Sequence, residues 1–194
     1  MAFPWEELYH PIVVYVSLGT LFNTEPGFYR NCFAALGGED CQVVLSTGSG
    51  VGMEDLGQPP PNFLVQPYVP QLEVLRRAAA FVTHGGMNSA GESLSFGVPM
   101  VVVPQMGEQE IVGRRVEQLG VGVFLPKAAV TAEALRAAVR RVLSDESYRR
   151  RAAEVGETFR AAGGVRRAAD AILAFTRGGL PPRDQTASSP TLQP

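Results

Sequence analysis

The chain has 194 residues, 45% of them apolar and 19% charged, with a formal net charge of −2 at pH 7. That length supports one domain with a substantial core, the composition is that of an ordinary globular protein, and the charge argues against a nucleic-acid partner. No apolar stretch nears the roughly 20 residues needed to span a bilayer, and no basic-then-apolar leader opens the chain, so a cytoplasmic protein is expected. Arg149-Arg150-Arg151 and Arg166-Arg167 fall in helical patterns that also carry Glu or Asp and read as solvated faces. Cys32 and Cys41 form neither a disulfide framework nor a metal-ligand set and are expected to be small buried groups.

In chain order, residues 1–11 read as a lead-in arm with Trp5 and Tyr9 between two prolines. Ile12 to Val16 is a continuous β-branched run, hence a buried strand, ending in the small-residue turn Ser17-Leu18-Gly19-Thr20. A helix follows, with Asn23 or Thr24 as cap, Pro26 in its first turn, Phe28, Cys32, Phe33 and Leu36 as apolar face and Gly37 as stop. Gln42 to Ser46 is a second strand. The glycines of Thr47 to Gly52 have a dinucleotide-fingerprint flavour, but prolines follow where that motif needs a helix, so a flexible loop is expected. Asn62 to Val65 is a short strand, leading through Tyr68-Val69-Pro70-Gln71 to a one- to two-turn helix with Leu72 and Leu75.

The next stretch, Phe81 to Glu92, reads as a strand end, a glycine turn carrying His84, and a helix start. Gly85-Gly86 permits backbone angles closed to other residues and lets a ligand approach the main chain. Asn88 and Ser89 are both candidate N-caps, and Ser89 with Glu92 fits the capping-box spacing. A helix N-terminus at a strand's carboxyl end offers free N–H groups and about half a positive charge, a receptor for phosphate. Beyond it, Met100 to Val103 is an inner strand. Glu108-Gln109-Glu110 opens a helix whose face is Ile111, Val112, Val116 and Leu119, with Gly120 as stop, and Val121 to Phe124 is an edge strand. Thr131 caps a helix facing inward through Leu135, Ala138, Val139, Val142 and Leu143. Asp145 to Ala162 is helical, Gly163-Gly164 breaks the chain, and a last helix runs through Phe175 before a disordered tail over 177–194.

Strands and helices alternate throughout, which implies βαβ units and an α/β fold with a doubly wound, Rossmann-like parallel sheet over 12–176. Ligands of such folds bind at the carboxyl ends of the strands. The glycine-containing polar turns at Ser17–Thr20, Gly48–Gly50, Thr83–Ser89 and Gln105–Gln109 all fall there.

Tyr68-Val69-Pro70-Gln71, Phe81 to Ser89, Glu92, Gly97-Val98-Pro99, Pro104-Gln105 and Glu108-Gln109 together resemble the donor-binding signature of UDP-dependent glycosyltransferases, most closely the bacterial macrolide type. The resemblance runs from about Pro4 to Phe175 and implies the carboxyl-terminal, donor-binding half of a GT-B architecture. It implies that His84 and the Gly86, Met87, Asn88 and Ser89 turn hold the donor diphosphate, with Ser17 and Thr20 adding hydroxyls. Tyr68 stands where the family usually has Trp stacked on uracil, with Val69 and Gln71 near the base or ribose. Glu92 would reach the ribose hydroxyls, although it reads equally well as a capping-box residue. Glu108 and Gln109 stand at the pair that binds the donor sugar, Glu108 in place of the commoner Asp.

The transfer so implied needs stabilisation of a departing nucleotide diphosphate, which N–H dipoles, His84 and hydroxyls supply without a metal or other cofactor. It also needs a general base, which the family carries as a His supported by Asp in its amino-terminal half. Of the two histidines, His10 lies in the lead-in, so no base is evident here. The chain is therefore expected to bind a UDP-sugar and to need an acceptor-binding half for transfer to a small-molecule hydroxyl. A nucleotide-sugar binding module without transferase activity is the alternative, and a nicotinamide-dependent oxidoreductase is disfavoured by the missing helix expected after Gly52. An exposed cleft face would favour self-association.

Overall fold

The structure, a computed structural model, describes residues 3–20 and 23–177. The expected tail, Arg177 excepted, lies outside the described residues. Strands β1 (Val13–Ser17), β2 (Gln42–Ser46), β3 (Phe63–Gln66), β4 (Ala78–Thr83), β5 (Met100–Val102) and β6 (Gly122–Phe124) form one sheet in the order β3-β2-β1-β4-β5-β6, every pair parallel. The order reverses between β1 and β4. In doubly wound sheets that reversal opens a crevice, because the connections leaving the two strands turn to opposite faces.

The helices are α1 (Pro26–Leu36), α2 (Met53–Leu56), α3 (Gln71–Leu75), α4 (Met87–Ser95), α5 (Gly107–Gln118), α6 (Ala132–Ser144), α7 (Glu146–Ala161) and α8 (Gly164–Thr176). Side chains alternate across β1. Val14 and Val16 join a core with Phe28 and Cys32 of α1 and Leu135 and Val139 of α6. Val13 and Tyr15 join a second core with Phe81, Leu94 of α4 and Val116 of α5. Burial on both faces is why the inner strands read as unbroken apolar runs. Cys32 and Cys41 are both buried and free, and the Arg149–Arg151 and Arg166–Arg167 runs are exposed.

Several helix boundaries differ from expectation. Neither Asn23 nor Thr24 caps α1: Glu25 holds that place, and Asn23, 2% exposed, turns inward to donate from Nδ2 to the Gly19 carbonyl at 2.8 Å. A Cβ on Gly48 or Gly50 would lie 1.8 or 2.5 Å from that Asn23 side chain. These glycines therefore leave room for Asn23. A one-turn helix, α2, does follow Gly52, with the Gly52 N–H donating to Asp55 Oδ2 at 3.2 Å before Gly57 (φ +78°) ends it. On α5, Val112, Val116 and Leu119 pack on the second core as expected, but Ile111 is exposed and Gln109 and Gly113 are buried; on α3, Leu72 is exposed and Val74 and Leu75 are buried. Thr131 caps α6 as expected, its Oγ1 accepting from the Ala134 N–H at 3.1 Å.

The lead-in is held against the domain. Gln42 accepts from the Tyr9 and His10 N–H groups at 3.0 and 3.2 Å and donates to the Glu7 carbonyl at 2.6 Å, while Phe3, Trp5 and Leu8 pack on the second core. Helix α8 is different. It buries none of its residues, and Val165, Ile172, Leu173 and Phe175 are exposed along it.

Candidate functional site

The carboxyl ends of the strands are level and polar: Ser17 pairs with Ser46 on one side and Thr83 on the other. Over them lies a cavity of about 530 Å³, walled by the turns that leave β1, β2, β3, β4 and β5. It collects Ser17 and Thr20; Tyr68, Val69 and Gln71; His84, Gly86, Met87, Asn88 and Ser89; and Glu108. Those are eleven of the thirteen positions singled out from the sequence. Gln109 lines a smaller adjoining cavity of about 170 Å³, next to Thr20, His84 and Glu108. Glu92 joins through Gln71, whose Nε2 donates to its Oε2 at 2.6 Å.

Helix α4 begins earlier than expected. Gly86, not Asn88 or Ser89, is its N-cap, and no side chain caps it. Ser89 and Glu92 lie inside the helix and close no capping box. Among the described residues the N–H groups of Met87, Asn88 and Ser89 have no protein acceptor, and the first backbone bond at this end is from the Ala90 N–H to the Gly86 carbonyl at 2.9 Å. Uncapped donors and the helix dipole together face the cavity that these residues line. Gly85 makes the turn possible: its φ is +82°, and a Cβ there would lie 2.5 Å from Val102 Cγ1. The Thr83 hydroxyl braces the turn by accepting from the Gly85 N–H at 3.3 Å.

The His84 ring sits between two glycines. A Cβ on Gly19 would lie 2.8 Å from its Cε1, and one on Gly86 would lie 2.5 Å from its Nε2. Burial pushes the imidazole below its ordinary value of 6.5, against an opposing hydrogen bond to the Ser17 backbone and the field of the Glu108 carboxylate. At neutral pH the ring is therefore uncharged and offers one N–H donor. Among the described residues no Lys or Arg lines the cavity. An anion held there would be met by dipoles and hydroxyls, an arrangement that needs no reorganisation as charge develops.

The acidic-Gln pair divides. Glu108 is exposed at the cavity wall. Gln109 is 4% exposed, and its Oε1 accepts from the Gln105 N–H at 2.7 Å, so half of its amide is spent holding its own turn. Tyr68 is 63% exposed and is a wall shared with a third cavity, of about 580 Å³, toward Phe3 and Trp5. Sequence reasoning missed Tyr15, whose hydroxyl donates to Gln71 Oε1 at 3.1 Å, because in an apolar run it reads as core. It also missed that Gly19 shapes the seat of His84. His10 does find a carboxylate, Asp40 Oδ1 at 3.2 Å, but before the start of β1. The five residues of β1 separate that pair from the cavity by about 16 Å at 3.3 Å per residue.

Fold and cavity together define a Rossmann-like α/β domain of the kind that forms half of a GT-B glycosyltransferase. The chain belongs to the family of erythromycin biosynthesis protein CIII-like C-terminal domains, whose family model matches residues 30–165. It is 42% identical to an uncharacterized UDP-glucosyltransferase, YojK, of Bacillus subtilis over 88% of this chain and 42% of the relative. The calicheamicin glycosyltransferase CalG4 superposes with a TM-score of 0.81 at 32% identity, over 87% of this chain and 46% of that one. Os79 of O. sativa, solved in complex with UDP, superposes with a TM-score of 0.66 at 26% identity, over 78% and 36%. The chain thus spans less than half the length of these relatives. Among the described residues no helix is long and apolar enough to cross a membrane.

Proposed function

We propose that this chain is the donor-binding half of an inverting, metal-independent glycosyltransferase, and that the cavity over the strand ends holds a UDP-sugar or a related nucleoside diphosphate sugar. The observation that carries the reading is the uncapped start of α4 beside His84 at the strand-order reversal. The diphosphate lies on the N–H groups of Met87 to Ser89 and on His84, with the Ser17 and Thr20 hydroxyls opposite. Uracil stacks on the exposed ring of Tyr68 beside Val69, Gln71 and Glu92 meet the ribose, and Glu108 meets the sugar, with Gln109 contributing its remaining amide hydrogens. The names of the relatives and the UDP held by Os79 support the same reading.

In the transfer, an acceptor oxygen attacks the anomeric carbon while the bond from that carbon to the diphosphate breaks. The electron pair leaves with the nucleotide, where the α4 dipole and His84 stabilise it. The acceptor's proton goes to a base outside this chain, since His10 is at the wrong end of the sheet. An acceptor-binding half, in the part of the relatives this chain does not span, completes the enzyme.

Calorimetric titration with UDP, UMP, uridine and UDP-glucose tests the reading. Saturable binding that strengthens from uridine to UDP, and falls by roughly 1–3 kcal/mol in His84→Ala, is expected for a lost hydrogen bond to a charged group. No binding of any of the four ligands at millimolar concentration, or equal binding of uridine and UDP, overturns it. Turnover on adding an acceptor-binding half then tests the transferase role.

A further inference from the structure

A hydrogen-bond chain runs from the core along the cavity wall, through Tyr15 and Gln71, to Glu92 behind it. Tyr15 of β1 is 2% exposed, and its ring stacks on Phe81 with centroids 4.6 Å apart and planes 8° from parallel. Its hydroxyl donates to Gln71 Oε1 at 3.1 Å. The other end of that amide, Nε2, donates to Glu92 Oε2 at 2.6 Å and lies 3.4 Å from Ser89 Oγ.

The chain has a direction. An amide oxygen only accepts and an amide nitrogen only donates, so the Glu92 carboxylate, itself only an acceptor, selects which way the Gln71 amide faces and leaves Oε1 to take the phenol proton. The flipped amide would set Oε1 against the Glu92 carboxylate, acceptor against acceptor. Burial raises the Tyr15 phenol well above its ordinary value, a hydrogen bond with Ser17 opposing and the Glu92 charge adding to the rise, so it stays a donor at any physiological pH. Its ring cannot swing away from Gln71 without giving up the Phe81 stack.

We propose that Tyr15 is a positioning residue: through Gln71 it fixes Glu92, so that the carboxylate presents its second oxygen to the cavity as an oriented acceptor and the site selects a ribonucleotide over its 2′-deoxy counterpart. This rests on the nucleotide reading above. With Tyr15 in place, Oε2 of Glu92 is held by Gln71 and Oε1 is left to accept from a ribose hydroxyl. Without the phenol, Gln71 Oε1 loses its anchor in the core; the amide still faces Glu92 but is free to move with it, and Glu92 loses its fixed position. The backbone N–H groups of α4 and the His84 ring, which carry the diphosphate, make no hydrogen bond to this chain and keep their strength; it touches that seat only at the Ser89 and Ser17 hydroxyls.

The test is calorimetry on the full chain with UDP and 2′-deoxyuridine diphosphate. The wild-type protein is expected to prefer UDP, and Tyr15→Phe to weaken UDP roughly three- to tenfold while leaving the deoxynucleotide unchanged, so that the preference shrinks. Phe81→Leu, which loosens the same ring without touching the hydroxyl, should keep the preference; that separates positioning from a packing role. In a Gln71→Met background, adding Tyr15→Phe should change nothing. The inference is overturned if Tyr15→Phe weakens both ligands equally, if its effect survives in Gln71→Met, or if the wild-type protein binds the two nucleotides alike. Absence of any UDP binding by the wild-type protein would instead defeat the functional reading, and this inference with it.

Discussion

The His84 imidazole occupies the space that a side chain on Gly19 would need: a Cβ there would stand 2.8 Å from Cε1 and 3.0 Å from Nε2. The two residues meet because β1 and β4 are neighbours in the sheet, and the turn after each opens into the same crevice. A residue with no chemistry of its own therefore sets where the one imidazole on the cavity wall can sit.

Gly19→Ala is expected to keep the fold and lose the seat. Gly19 has φ +80°, so the substitution costs about 1–2 kcal/mol in backbone strain and also displaces the His84 ring. UDP affinity should fall about as far as in His84→Ala, and the double variant should be no worse than either. Thermal melts and calorimetry on the three variants check this; additive losses would mean that Gly19 acts on something other than the ring.

His84 also sets a pH dependence. Burial, the dominant cause, lowers its pKa from 6.5 in the folded state, with the Ser17 backbone and Glu108 opposing. The folded protein therefore binds fewer protons than the unfolded chain just below that value. The stability this represents is complete above pH 6.5 and is lost as pH falls through the folded-state value. Melting temperatures from pH 7.5 down to 5 should drop more steeply for the wild-type protein than for His84→Gln. Parallel curves would refute the shift.

Neighbouring Glu108 and Gln109 should behave oppositely. Gln109→Leu leaves the Gln105 N–H without its buried acceptor and is expected to cost about 1–3 kcal/mol of stability. Glu108 is exposed, so Glu108→Gln should move stability by less than about 0.5 kcal/mol while changing the affinity for UDP-sugars. Urea denaturation of the two variants reads the difference, and equal stabilities would remove the bracing role of Gln109.

Helix α8 adds little to the fold it follows. Ile172 and Leu173 are 64% and 51% exposed, so replacing both with Glu should shift stability by less than about 0.5 kcal/mol per site. The same change should reduce any concentration-dependent association read by sedimentation, because it breaks an exposed apolar face. A large fall in melting temperature would show that α8 is held more firmly than its burial indicates.

Most of the local structure was legible before any coordinates. β-Branched runs mark strands buried on both faces, and Gly120 (φ +67°) and Gly163 (φ +84°) end helices where the sequence places them. The capping errors arise where another partner competes for the side chain. Asn23, Ser89 and Glu92 have the chemistry of caps, but each finds another partner that decides its role: the Gly19 carbonyl in the same connection for Asn23, and Gln71 of α3 for Ser89 and Glu92. The glycines of Gly48–Gly50 were ambiguous for the same reason, since only the position of Asn23 shows what they make room for.

By itself the sequence determined the alternation of strands and helices and the gathering of its polar turns at one sheet edge, because periodicity and turn chemistry act over a few residues. Only the tertiary structure decided which groups face each other there. Tyr15 meets Gln71 across 56 residues, Gly19 meets His84 through the pairing of β1 with β4, and at the start of α5 it is Gln109, not Ile111, that is buried. Those placements follow from strand order and from how the helices pack on the sheet. Both are settled by how the whole core closes, and no local window of residues contains that information.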